Sequence, residues 1–142
     1  MSPKKILAVA SVAAATVPAT SGAALAAGSA GPAVKVQVKS LTKTLLDSTT
    51  VHGQKGWITV GGTPTGKCSG NSAAGALDAA TKHRWSGKWY SSVPGIFVTS
   101  ILGVKPKSPD YWGIVVNGKT ASSGICAIKL RAGQTLLFQV VK

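Results

Sequence analysis

After residue 26, only one stretch of this chain repeats its apolar residues at helical spacing; elsewhere they alternate or run in short blocks. Ala73, Ala76, Leu77 and Ala80 fall on a single helical face. Asn71 or Ser72 stands where an N-cap is needed. Lys82, His83 and Arg84 occupy the last turn, where cations suit the helix dipole, and Gly87 stops the run. The spacing predicts one helix over about 72–85. Its face is mostly alanine, so it should lie close against a sheet.

The flanking segments read as strands. Val34, Val36 and Val38 alternate with Lys35, Gln37 and Lys39, a period of two that marks a strand with one wet face. Thr42 to Val51 is rich in Thr and Leu and can pair back on it as a hairpin. Residues 53–70 carry six glycines and Cys68 around the apolar island Trp57-Ile58-Thr59-Val60, which reads as a long loop with a short strand in it. Strand signals follow at Ile96–Val104, Tyr111–Val116 and Thr135–Val141, and Asn117-Gly118 is a strong hairpin-turn dipeptide. Strands on both sides of one helix predict an α+β fold in two layers, a mixed sheet packed on one helix.

The start of the chain has the parts of a secretion signal. Lys4 and Lys5 form a positive n-region, and Ile6 to Val17 is an apolar run broken only by Ser11 and Thr16. Ala24-Leu25-Ala26 fits a cleavage site after Ala26. The alternative is a membrane anchor, but a run of 12 residues is short of the roughly 20 needed to span hydrocarbon. The expected organisation is a signal peptide over 1–26, a flexible leader over 27–33 and one domain over 34–142. No second long apolar run follows, so the mature chain should be secreted and have no transmembrane segment.

Cleavage leaves 116 residues, enough for one core and little else. They carry fourteen basic and three acidic side chains, a net charge of +11, and only Arg84 and Arg131 among the bases are Arg. Lysine acts as a hydrated point charge, whereas arginine reads phosphate and guanine bidentately. The excess therefore suits loose attraction to an anionic cell-envelope polymer, or simply a solvated basic surface. Nucleic acid is not favoured, because the bases are spread along the chain and export removes the usual partners. Cys68 and Cys126 are the only cysteines, and an even count in an exported chain reads as one disulfide. A metal site is the alternative, but His52 and His83 are not spaced as ligands beside them.

Several segments in order resemble the transcobalamin-like C-terminal domain family: Ala76-Leu77-Asp78-Ala79-Ala80, Val98 to Gly103, Tyr111 to Gly118, and Leu130-Arg131-Ala132-Gly133-Gln134. The resemblance covers roughly 34–141 and implies a β-grasp-like fold: a strand pair, a helix, then strands closed by a turn. Gln134 stands where the family usually has an acid, and the Gly-rich loop holding Cys68 is extra. In animal cobalamin carriers this domain caps a corrinoid against a separate helical barrel. The resemblance thus implies a corrinoid, cobalamin, as an alternative ligand, although 116 residues cannot hold that barrel.

Catalytic sets are not found. Asp47, Asp78 and Asp110 lie in separate segments, there is no G-x-S-x-G elbow, and both thiols are expected to be oxidised. His52 and His83 read as exposed polar residues without partners. What remains is aromatic: Trp57, Trp85, Trp89, Tyr90, Tyr111 and Trp112 offer flat apolar faces with one polar handle each. Strand alternation sends either Tyr111 or Trp112 inward, and Trp112 reads as mainly structural. Trp85 is expected to pack at the helix end, and Trp89 and Tyr90 to be exposed. The candidate ligand-binding residues are Trp89, Tyr90, Tyr111, Trp112 and Asn117, with no catalytic or metal-binding residue and no cofactor. The expected function is a monomeric, exported, non-catalytic module binding a small molecule or an envelope polymer. Two other readings stay open: a basic envelope-adhesion protein, and a small enzyme or enzyme inhibitor, which would need Asp110 to share a cleft with a His or Lys.

Overall fold

The structure, a computed structural model, describes residues 31–142 apart from Val93. The expected signal peptide and the first part of the leader lie outside the described residues. Seven strands and one α-helix follow among the described residues: β1 (Ala33–Lys39), β2 (Thr44–His52), α1 (Ala73–Thr81), β3 (Trp85–Tyr90), β4 (Gly95–Ile101), β5 (Tyr111–Val116), β6 (Lys119–Thr120) and β7 (Thr135–Val141). The apolar island 57–60 forms no strand and leads into a short 3-10 turn, Val60–Gly62. Five of them form a sheet in the order β2-β1-β7-β5-β6, and β3 and β4 form a separate antiparallel ribbon. β1 and β7 are parallel, while the other pairs in the large sheet are antiparallel, so the fold is the expected α+β with a mixed sheet. Gly31 to Ala33, read above as leader, are tied in: Gly31 N–H donates to the Gly53 carbonyl and Ala33 accepts from Gly133.

The alternation read from β1 places its side chains correctly. Val34, Val36 and Val38 are buried while Lys35 and Lys39 face water. Beside them in the same sheet the core receives Leu136 and Phe138 from β7 and Trp112 and Ile114 from β5, and the ribbon adds Ile96, Val98 and Ile101 from β4. The helix closes this face against β1 and β2 with Ala73, Ala74, Ala76 and Leu77, all fully buried. Alanines let it approach so closely that Gly75 rests on the Gly70 backbone, where any Cβ would collide.

The helix is shorter than its periodicity suggested. Ser72 is the N-cap, yet its hydroxyl donates to the Ser69 carbonyl rather than accepting from the first turn. The free N–H groups of Ala73 and Ala74 donate instead to the carbonyls of Ile128 and Ile125. That loop is held in place by the Cys68–Cys126 disulfide, Cα–Cα 5.0 Å. At the other end Lys82 and His83 both take positive φ, 55° and 67°, a left-handed turn that glycine usually supplies. Trp85 therefore opens a strand instead of ending a helix, and Gly87 sits inside β3 at a register shift. Asn117-Gly118 forms the expected turn, with φ of 50° and 84° linking β5 to β6. Among the described residues no helix is long and apolar enough to cross a membrane.

Candidate functional site

The reason for the left-handed turn lies in Asp78. This aspartate is buried in the helix and accepts hydrogen bonds from Trp85 Nε1 at 3.0 Å and Gln54 Nε2 at 3.2 Å. Its Oδ2 also lies 2.7 Å from His83 Nδ1, and its carbonyl accepts from the His83 N–H. His83 thus has a partner, contrary to the sequence reading, although most of its ring remains exposed. The buried carboxylate joins the Gly-rich loop, the helix end and β3. Buried acceptors are stabilising only when so satisfied, and here every bond serves the fold.

The rings divide by strand alternation. On β3, Trp85 and Trp89 turn inward, Trp85 buried and Trp89 half-buried against the core, while Lys88 and Tyr90 turn outward. The expectation that Trp89 and Tyr90 are both exposed therefore holds for Tyr90 alone. On β5, Trp112 is buried and donates through Nε1 to the Val104 carbonyl at 3.2 Å, and Tyr111 is exposed. Asn117 spends its side-chain oxygen on the fold, accepting from the Thr135 N–H at 2.8 Å. Trp57 is exposed on the Gly-rich loop, where it meets Ser69 through an isolated bridge.

The structure adds a ring that the sequence reading passed over. Phe97 lies on β4 between the buried Ile96 and Val98, so the pleat forces it out, and it is 51% exposed. It pairs across the ribbon with Lys88, whose Nζ stands 5.5 Å from the centroid of the Tyr90 ring. Phe97 also forms a wall of a cleft of about 440 Å³ bounded by Tyr111, Trp112, Lys105, Pro106 and Asp110. A cleft of about this size falls in the range that holds small molecules. On its other side Phe97 borders a second cleft with Tyr90, Pro94 and Gly124. Tyr90, Phe97 and Tyr111 are thus brought to one surface, whereas Trp89, Trp112 and Asn117 are occupied by the fold. The signal that could have found Phe97 was present: within the apolar run 96–98, period two assigns the middle residue to the opposite face.

Asp110 and Lys105 line one cleft, the juxtaposition that an enzyme reading requires. The lining holds no His, no Cys and no second carboxylate. Among the described residues there is no group of three or more His, Cys, Asp or Glu side chains able to hold a metal ion.

The fold and this site define a small disulfide-linked α+β domain with a mixed β-grasp-like sheet and a ring-lined groove. The chain belongs to the family described as "Domain of unknown function (DUF4430)", which it matches over residues 70–142. No curated protein matches the sequence. Among solved structures, it is similar to haptocorrin in complex with Cbi, with a TM-score of 0.56 and 18% identity over 78% of this chain. This chain spans only 25% of that haptocorrin chain. It is also similar to a candidate metal binding protein from Ruminococcus gnavus ATCC 29149, with a TM-score of 0.54 and 11% identity. That match covers 78% of this chain and 97% of the other. At these identities the similarity establishes the fold.

Proposed function

We propose that this chain is exported, cleaved after Ala26, and acts as a non-catalytic ligand-binding module of the transcobalamin-like C-terminal type. The observation that carries this reading is the convergence of three exposed rings, Tyr90, Phe97 and Tyr111, on one surface that also bears a cleft. A large apolar side chain left half in water stabilises a domain less than a buried one, whereas a binding surface uses such side chains as anchors. The disulfide accords with an oxidising compartment. The likeness to haptocorrin makes a corrinoid one ligand worth testing, since a flat conjugated ring suits stacking on Phe97 and Tyr111. The metal-binding description of the Ruminococcus protein is not carried over, because no three His, Cys, Asp or Glu side chains come together among the described residues.

Isothermal titration of the mature domain against dicyanocobinamide, neutral glycans and purified wall polymers tests the reading. One of these classes should bind, and Phe97→Ala should weaken it about tenfold or more. Absence of heat with all three classes would sink it.

A second reading, a small exported enzyme, draws on Asp110 and Lys105 sharing a cleft. It predicts a turnover abolished by Asp110→Asn. The single carboxylate argues against it, since glycoside hydrolysis usually takes two.

A further inference from the structure

We propose that the ligand of this surface is a linear acidic glycan that runs along three adjoining clefts; the proposal rests on the ligand-binding reading above. The cleft between Phe97 and Tyr111 is bounded on one side by the 105–110 loop. Pro106 and Asp110 are shared with a further cleft of about 420 Å³ on the far side of that loop, bounded by Leu41, Lys43 and Lys107. In the opposite direction Phe97 is shared with the cleft of about 380 Å³ beside Tyr90. Shared lining residues set the three clefts in series from Tyr90 to Leu41. A compact ligand fills one of them; a chain of repeating units can occupy all three.

The chemistry along the path selects the polymer. Apolar surfaces recur at Tyr90, Phe97, Tyr111 and Leu41, all exposed, and the three rings can take the faces of sugar rings. Lysines recur beside them: Lys88 next to Phe97, Lys105 in the middle cleft, Lys43 and Lys107 in the last. Asp110 is the one acid in the lining of the three clefts, and none of the four lysines makes a salt bridge among the described residues. Their charge is therefore available to a partner. Of the two acids outside the clefts, Asp78 is buried and bonded within the fold and Asp47 is exposed on β2 but lines none of the three clefts. Flexible lysine heads suit anionic groups spaced along a mobile polymer better than one rigid bidentate site would.

The test uses long-chain polygalacturonate as the probe, titrated into the mature domain, with three comparators. Trigalacturonate keeps both chemistries but spans one cleft; methyl-esterified polygalacturonate keeps the rings without charge; polyglutamate keeps the charge without sugar rings. Polygalacturonate should bind at least about tenfold more tightly than each comparator. Phe97→Ala and the double change Lys105→Ala/Lys107→Ala should each weaken it by about tenfold or more. Equal binding of polyglutamate, of the methyl ester or of the trimer overturns the proposal, as does polygalacturonate binding that neither variant weakens. If polygalacturonate is silent while cobinamide or a neutral glycan binds in a Phe97-dependent way, the acidic-glycan inference fails and the ligand-binding reading stands. Silence of every probe removes both.

Discussion

In the five-stranded sheet two of the three large rings point inward, Phe138 of β7 at 1% and Trp112 of β5 at 8% exposed, and only Tyr111 at the start of β5 faces water. The β3–β4 ribbon is built from equally apolar sequence, yet it keeps Trp85, Ile96 and Val98 inside and turns Tyr90 and Phe97 to water. Both regions obey the same pleat, so the contrast comes from which residue type stands at the outward register. On β1 those positions are Lys35, Gln37 and Lys39; on the ribbon they include Lys88, Tyr90 and Phe97. A stabilising role explains Phe138 and Trp112. Burial does not account for Tyr90 and Phe97 on the ribbon, or for Tyr111 at the edge of the sheet.

The comparison can be broken at its strong end first. Phe138→Ala should destabilise the domain by about 3–5 kcal/mol in urea unfolding, because the site is enclosed and collapses poorly. A loss under about 1 kcal/mol would mean that the inward rings are not what holds the large sheet. Reduction of the disulfide, or Cys126→Ser, should cost roughly 2–4 kcal/mol while far-ultraviolet dichroism keeps its strand signature. Thiol labelling of the native protein should detect no free cysteine, since both sulfurs are paired.

Asp78→Ala sharpens the comparison at the seam between helix and ribbon. It strands the buried Trp85 Nε1 without its acceptor, leaves the Gln54 amide only the Gly75 carbonyl, and should cost about 1–3 kcal/mol by the same unfolding assay. The smallest effect is expected on the ribbon's outer face. Phe97→Ala should change stability by no more than about 0.5 kcal/mol while reducing ligand affinity. A large stability loss there would show the ring to be structural and would erase the distinction between the two regions.

Much of the large sheet was legible because its code is local. Alternation in β1, the Asn117-Gly118 turn and the apolar run of β7 each announce a conformation within a few residues. The helix start at Ser72 was legible for the same reason, although the groups that cap it come from Ile125 and Ile128, far along the chain. Its end was not. Lys82 and His83 look like favourable last-turn cations, and nothing adjacent reveals that Asp78 draws His83 and Trp85 into a left-handed exit. With that exit misplaced, β3 was hidden and Trp89 lost its inward register. The site was legible in part: Tyr90 and Tyr111 were named, while Phe97 was masked by apolar neighbours and Lys105 by a loop without periodicity.

The sheet's order has a consequence for how the chain reaches its final state. β7 lies between β1 and β5, and it is encoded by residues 135–141. A ribosome therefore makes the hairpin, the helix and the ribbon before the strand that unites them. Pairing between β1 and β7 bridges about a hundred residues, the kind of distant contact that forms late. Until Thr135 has been synthesised, β1 and β5 have no strand to stand between them, so the five-stranded sheet can assemble only after its uniting strand exists.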